Sequence, residues 1–145
     1  MTSYNLYSCK LIKDASVSVP NRKISTSEDT YSFIREYFDA LDREHFGVLL
    51  LTTRHNVIGY HLCSVGTIEE AIVTPRECIK AALLCNATAL ILIHNHPSGE
   101  PTPSEQDKLI TNKIKDAANL FGFTIIDHII VGENSFFSFA DEGML

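Results

Sequence analysis

His94 and His96 stand two residues apart at the end of a short apolar run, 89–93, and Asp107 follows within the next helix-start signature. In extended backbone, side chains i and i+2 project to the same side, so both imidazoles can reach one point. Pro97-Ser98-Gly99 turns the chain at once and keeps the pair at a strand edge. Asp107 lies about one turn into the helix that follows, and the intervening loop can bring its carboxylate opposite the histidines. Two imidazoles and one carboxylate form a three-ligand set for a single zinc ion, with the fourth position left for water. That is the arrangement of a catalytic rather than a structural zinc. Zinc lowers the pKa of water toward ~7, so hydroxide becomes available as a nucleophile at neutral pH. The expectation is a small metal-dependent hydrolase.

A lone His-x-His is a weak signal, because histidine pairs arise on surfaces by chance. The longer pattern His-x-His-x7-Ser-x2-Asp, from His94 through Ser104 to Asp107, in a strand–loop–helix setting, is far more specific. Asn95, between the two histidines, should point away from the metal and satisfy local backbone. His128 follows Asp127 inside an apolar strand and reads as a hydrogen-bonded core histidine, with lining of the site as the lesser reading. His45 faces outward in this reading, and His55 and His61 are turn and strand-surface residues. Ser98 lacks the Gly-x-Ser-x-Gly elbow of a serine hydrolase. Arg76 is open between binding a substrate anion and lying exposed on a first helical turn. Cys9, Cys63, Cys78 and Cys85 form no Cys-x-x-Cys pair, so they read as reduced thiols rather than a zinc ribbon or redox site. Cys78 and Cys85 share one face of their helix.

The elements that must position these residues can be read along the chain. Residues 4–12 read as a first strand. Ser27-Glu28-Asp29 opens a helix whose early acids suit the helix dipole, and Tyr31, Ile34, Phe38 and Leu41 give it a buried stripe. Strands over 46–51 and 57–65 form a hairpin around Arg54-His55-Asn56, and Gly66-Thr67 ends it. Thr74-Pro75-Arg76-Glu77 starts a second helix, with a capping residue and a proline at the first position, that runs to about Cys85 and stops at Asn86. The strand over 89–93 is apolar throughout, as expected when both faces are covered. Thr102-Pro103-Ser104-Glu105 begins the helix that carries Asp107; Ile110, Ile114, Ala117 and Phe121 are its expected buried face, and Gly122 ends it. Strands over 123–131 and 135–139 close the chain around Gly132-Glu133-Asn134. Alternating strands and helices with a hairpin at each end point to an α+β fold, a mixed central sheet flanked by helices.

The 145 residues, 45% hydrophobic and 21% charged, suit one domain over 1–145 with a genuine core. A net charge of −6 and a pI near 5.4 give no support to nucleic-acid binding. No apolar run approaches the roughly 18 residues of a membrane span. The N-terminus, Met1-Thr2-Ser3-Tyr4, lacks the basic start and apolar middle of a signal peptide, and a cytoplasmic location is expected.

The motif resembles the JAMM motif of the JAB/MPN metalloprotease superfamily. The run from His94 to Asp107, with Thr74-Pro75-Arg76-Glu77 upstream and the segment from Asp127 to Gly132 downstream, resembles the RadC branch closely. The similarity extends from about residue 27 to the C-terminus. It implies a cytidine-deaminase-like fold and one zinc ion on His94, His96 and Asp107. It further implies that Ser104 stabilises the charge developing on the tetrahedral intermediate, beside its role as a helix-start residue. Glu44, ahead of the first hairpin strand, matches the family's general base, which passes a proton from water to the leaving group; its bland alternative is a solvated charge. Glu69, Glu70 and Glu77 are poorer matches. Longer RadC proteins carry an N-terminal helix-hairpin-helix region, which is expected to be absent here because the first strand begins near residue 4.

The leading expectation is a zinc metallopeptidase or isopeptidase acting on a protein or peptide substrate. A nuclease or repair accessory in DNA metabolism rests on the RadC name alone, and a non-catalytic JAB-fold binding module would require Glu44 to be misassigned. Deamination is set aside because His-x-Glu and Pro-Cys-x-x-Cys are both missing. A homodimer is possible; a membrane partner is not expected.

Overall fold

The computed structural model describes residues 1–19, 21–39, 41–66 and 72–145. Thr67, Glu69 and Glu70 lie outside these. The elements are α1 (Ser27–Phe38), β1 (His45–Leu51), β2 (Val57–Val65), α2 (Pro75–Leu84), β3 (Ala89–Asn95), α3 (Glu105–Leu120), β4 (Thr124–Val131) and β5 (Phe136–Ser138). The strands form one mixed sheet in the order β2-β1-β3-β4-β5. β1 runs antiparallel to β2 and β3, β3 and β4 are parallel, and β4 and β5 close an antiparallel hairpin. Among the described residues no helix is long and apolar enough to cross a membrane.

Period-two alternation sends the two sides of β1 and β3 into different cores. Phe46, Val48, Leu50, Leu90 and Leu92 pack with Cys78, Ile79 and Ala82 of α2 and Ile114 and Ala118 of α3. Leu49, Leu51, Ile91 and Ile93 pack on the other face with Tyr31, Ile34 and Phe38 of α1. Both faces are covered, which is why these two inner strands tolerate no polar residue until their ends.

Helix starts follow their sequence signals unevenly. Thr26 caps α1 in a reciprocal box with Asp29, and Ser104 does the same for α3 with Asp107. Thr74 makes no side-chain cap bond, so α2 starts on the fixed φ of Pro75. α2 stops where Asn86 takes a left-handed conformation, φ +53. The four cysteines are free thiols, with Cys78 buried and Cys9 exposed.

Two expectations are overturned. Residues 4–12 carry no strand: residues 1–18 are exposed, and among the described residues no strand pairs with them. Apolar alternation without a partner strand does not make a sheet. On α3 the buried residues are Asp107, Thr111, Ile114 and Ala118, while Ala117 is half-buried and Phe121 exposed. The stripe is centred on Asp107, whose carboxylate faces the end of β3, and Phe121 lies past the last helical residue, at the C-cap, where it is open to solvent.

Truncation distinguishes the two phases. Ile114→Ala should cost about 2–5 kcal/mol of stability, the range for a buried aliphatic deletion. Phe121→Ala should cost well under ~1 kcal/mol, as surface substitutions do. Urea unfolding of both variants measures the difference, and equal losses would contradict the observed phase.

Candidate metal centre

Three elements meet at one place. β3 delivers His94 at its last turn of pleat, and the residue after the strand's end, His96, continues on the same side. α3 presents Asp107 from its first turn, and Glu44 stands immediately before β1. One ligand atom from each of Glu44, His94, His96 and Asp107 lies within 4.8 Å of all the others, a group that could hold a metal ion. His94 Nε2 is 3.1 Å from His96 Nε2, 3.2 Å from Asp107 Oδ1 and 3.7 Å from Glu44 Oε1. His96 Nε2 is 3.3 Å from Asp107 Oδ2. His94, Glu44 and Asp107 are buried and His96 is half-buried, so the group opens to solvent on the His96 side.

Each side chain is held by a local device. His96 Nδ1 is 2.8 Å from the Glu100 carbonyl, which can only accept, so Nδ1–H donates and Nε2 keeps its lone pair toward the site. The loop carrying His96 is sewn to the β4–β5 turn: His96 N donates to Val131 O at 3.0 Å and Glu133 N to Gly99 O at 2.8 Å. Gly132 permits that approach, since a Cβ there would lie 2.4 Å from the Gly99 carbonyl oxygen. Asp107 Oδ2 accepts the Ser104 backbone N–H at 2.8 Å while Ser104 Oγ accepts from Asp107 N at 3.1 Å. The capping box thus aims the Asp107 carboxylate as well as starting a helix.

Glu44 is fixed through its neighbours. Asn95 turns away from the histidines and accepts from His45 N at 2.8 Å while donating to Arg43 O at 3.1 Å. Gly66 N donates to the Glu44 carbonyl at 2.8 Å. The backbone is therefore tied on both sides of Glu44 and at the residue itself. Its carboxylate is buried beside the histidines, not the solvated charge of the alternative reading.

The donor chemistry fits a cation. Burial opposes ionisation of Asp107, but its bonds to His94, His96 and the Ser104 backbone outweigh burial and hold the carboxyl far below its usual range. Burial depresses the His94 pKa more than Asp107 raises it, so that imidazole is neutral. For His96 burial is opposed and overcome by Asp107 and the Glu100 carbonyl, which raise its pKa. The field that favours a proton there favours a divalent ion equally, and neutral imidazoles with a carboxylate are zinc donors.

The remaining sequence candidates divide clearly. His128 is fully buried, with Nε2 2.8 Å from His94 Nδ1, and stacks on Phe139. It is a hydrogen-bonded core histidine one layer behind His94 and His96. Asp127, beside it, accepts from Ser138 Oγ, Ala140 N and His128 N, tying β5 back to β4. His45 is half-buried against Tyr37 rather than facing fully outward. Arg76 is exposed on the first turn of α2, and Glu77 pairs with Lys80 there. His55 is exposed in its turn. Sequence reading missed Thr111, which follows Asp107 by one helical turn and contacts His128; its i+4 spacing was the available signal.

Known proteins are similar over most of the chain. The sequence profile described as a RadC-like JAB domain matches residues 24–144. A UPF0758 protein of Desulfitobacterium hafniense is 41% identical over 122 residues, covering 84% of this chain and 54% of that relative. One from Thermotoga maritima is 41% identical over 123 residues, 85% of this chain and 55% of its own. One from Methanosarcina mazei is 37% identical over 129 residues, 89% and 56% respectively. The chain spans about half the length of these curated relatives.

Removing the Asn95 clamp tests how Glu44 is held. Asn95→Ala leaves the part-buried His45 N–H and Arg43 carbonyl without this partner and should cost about 1–3 kcal/mol. Equilibrium unfolding gives the loss; an unchanged midpoint would show that the segment around Glu44 is secured by other means.

Proposed function

The chain belongs to the RadC-like JAB domain family, and on that premise we propose that it is a zinc-dependent hydrolase of peptide or isopeptide bonds. The observation that carries this reading is the convergence of Glu44, His94, His96 and Asp107 within 4.8 Å. It supplies three ligands and a carboxylate left over. His94, His96 and Asp107 are the ligands, and zinc among them would polarise a carbonyl and lower the pKa of water toward ~7.

The chain's own residues do the rest. Glu44 takes a proton from the attacking water and delivers it to the leaving nitrogen, so that water adds across the broken C–N bond to give an acid and an amine. Its place 3.7 Å from His94 Nε2, behind a backbone tied on both sides, holds the carboxylate at the edge of the ligand set. Ser104 accepts a helix N–H through Oγ, which leaves its hydroxyl hydrogen to donate to a developing oxyanion. Ser104 is exposed and His96 half-buried, so the open side of the group is where a carbonyl would approach. The buried side, lined by Phe46 stacked on His94 at 5.5 Å, keeps water from behind the ligands.

Zinc-loaded protein incubated with libraries of linear peptides and of Lys-isopeptide-branched peptides, read by mass spectrometry for new termini, tests this. Cleavage should occur, disappear with a chelator and return with zinc. Glu44→Gln should lower the rate by ~10²–10⁴, the usual worth of a general acid–base, at unchanged zinc content. No cleavage in either library by the zinc-loaded wild type, or full activity in Glu44→Gln, would overturn the proposal.

A further inference from the structure

Behind the ligands runs a chain of buried groups whose donors and acceptors can be assigned by counting. Thr111 Oγ1 lies 2.6 Å from the main-chain carbonyl of Asp107 and 2.6 Å from His128 Nδ1. A carbonyl oxygen only accepts, so the single hydroxyl hydrogen of Thr111 goes to Asp107 O. The lone pairs of Thr111 Oγ1 then face His128, and Nδ1 of that ring must donate. His128 is fully buried between the rings of Phe139 and Phe46, an apolar setting in which a charged ring would be costly and the neutral form is favoured. A neutral ring protonated on Nδ1 carries its lone pair on Nε2. That atom is 2.8 Å from His94 Nδ1, which must therefore donate in turn. His94 Nε2 is left bare, and it is the atom that faces His96 and Asp107.

We infer that Thr111 and His128 are positioning residues that lock His94 into the tautomer able to bind a metal through Nε2. The inference rests on the metal-site reading above and deepens it. The relay is closed on itself: it begins at the main-chain carbonyl of Asp107 and ends beside the side chain of the same residue. One helical turn of α3 thus supplies a ligand and, four residues on, the group that dictates the protonation of another ligand. His96 reaches the same state by a shorter route through the Glu100 carbonyl. The two histidines therefore present matching lone pairs by independent means, one from a surface loop and one from the core.

The arrangement also explains why a threonine sits buried on α3 at 1% exposure amid apolar neighbours. A valine of the same shape would fill the space yet could not take the His128 proton. With that acceptor gone, His128 gains by turning its N–H toward His94, and His94 then places its own proton on Nε2, where a metal must go.

Two readouts test this. Long-range proton–nitrogen NMR of histidine-labelled, metal-free wild type at mildly alkaline pH reports which ring nitrogen is protonated. His94 and His128 should both carry the proton on Nδ1; a proton on His94 Nε2 would overturn the inference whatever the protein does with metal. Zinc affinity measured by competition with a chromophoric chelator is the second. Thr111→Val should bind zinc ~10–100-fold more weakly, the usual effect of losing an outer partner of a metal-binding histidine, and Thr111→Ser should restore it. Equal affinity in wild type and a folded Thr111→Val would reject the role. Should Thr111→Val not fold, the wild-type spectrum alone decides. A wild type that binds no zinc yet shows the assigned tautomers would count against the proposed hydrolase while leaving the relay standing.

Discussion

Hydrogen-bond acceptors gathered at a buried point repel one another unless something positive lies among them. The end of β3 is such a point: an ionised Asp107, a neutral His94 and the Nε2 of His96 all turn toward it, with Glu44 at the rim. Burial of charge without a partner is among the most costly arrangements in a protein. The architecture around this point consists of devices that hold the acceptors in place despite that cost. The capping box at Ser104 fixes Asp107, the Glu100 carbonyl orients His96, and the Asn95 amide ties the backbone around Glu44.

Placing these groups explains several features of the fold that would otherwise be arbitrary. β1 and β3 are apolar on both faces because helices cover both, and their ends are the first positions where polar residues can emerge into a partly enclosed space. β1 runs antiparallel to β3, so the start of one lies beside the end of the other; Phe46 pairs with His94. That register is what brings Glu44, some fifty residues away in the chain, beside His94. The parallel pairing of β3 with β4 sets His128 in the row beside Leu92, from which its ring reaches His94.

The sequence made most of this cluster legible because it is local. His94, His96, Ser104 and Asp107 sit within one strand–loop–helix unit, and the alternation of strands and the helix repeat are enough to bring them to one side. Glu44 is different: nothing in its own neighbourhood marks it, and only resemblance to a family pointed there, because its meaning lies in a cross-strand register. The same holds for Thr111 and His128, which join through contacts between α3 and β4. The misreadings have related causes. Residues 4–12 show strand-like alternation without a partner strand, and the stripe proposed for α3 followed apolar residues while the true face was set by Asp107. Periodicity reports what could be buried; polar groups with a fixed destination decide the phase.

The most direct test of the metal centre is diffraction from crystals grown with zinc, with data collected on both sides of the zinc absorption edge. The account predicts one anomalous peak per chain, about 2.0–2.2 Å from His94 Nε2, His96 Nε2 and an Asp107 carboxylate oxygen, with Glu44 close by but outside the ligand set. A peak elsewhere on the chain, or none at this group in zinc-saturated crystals, would contradict it.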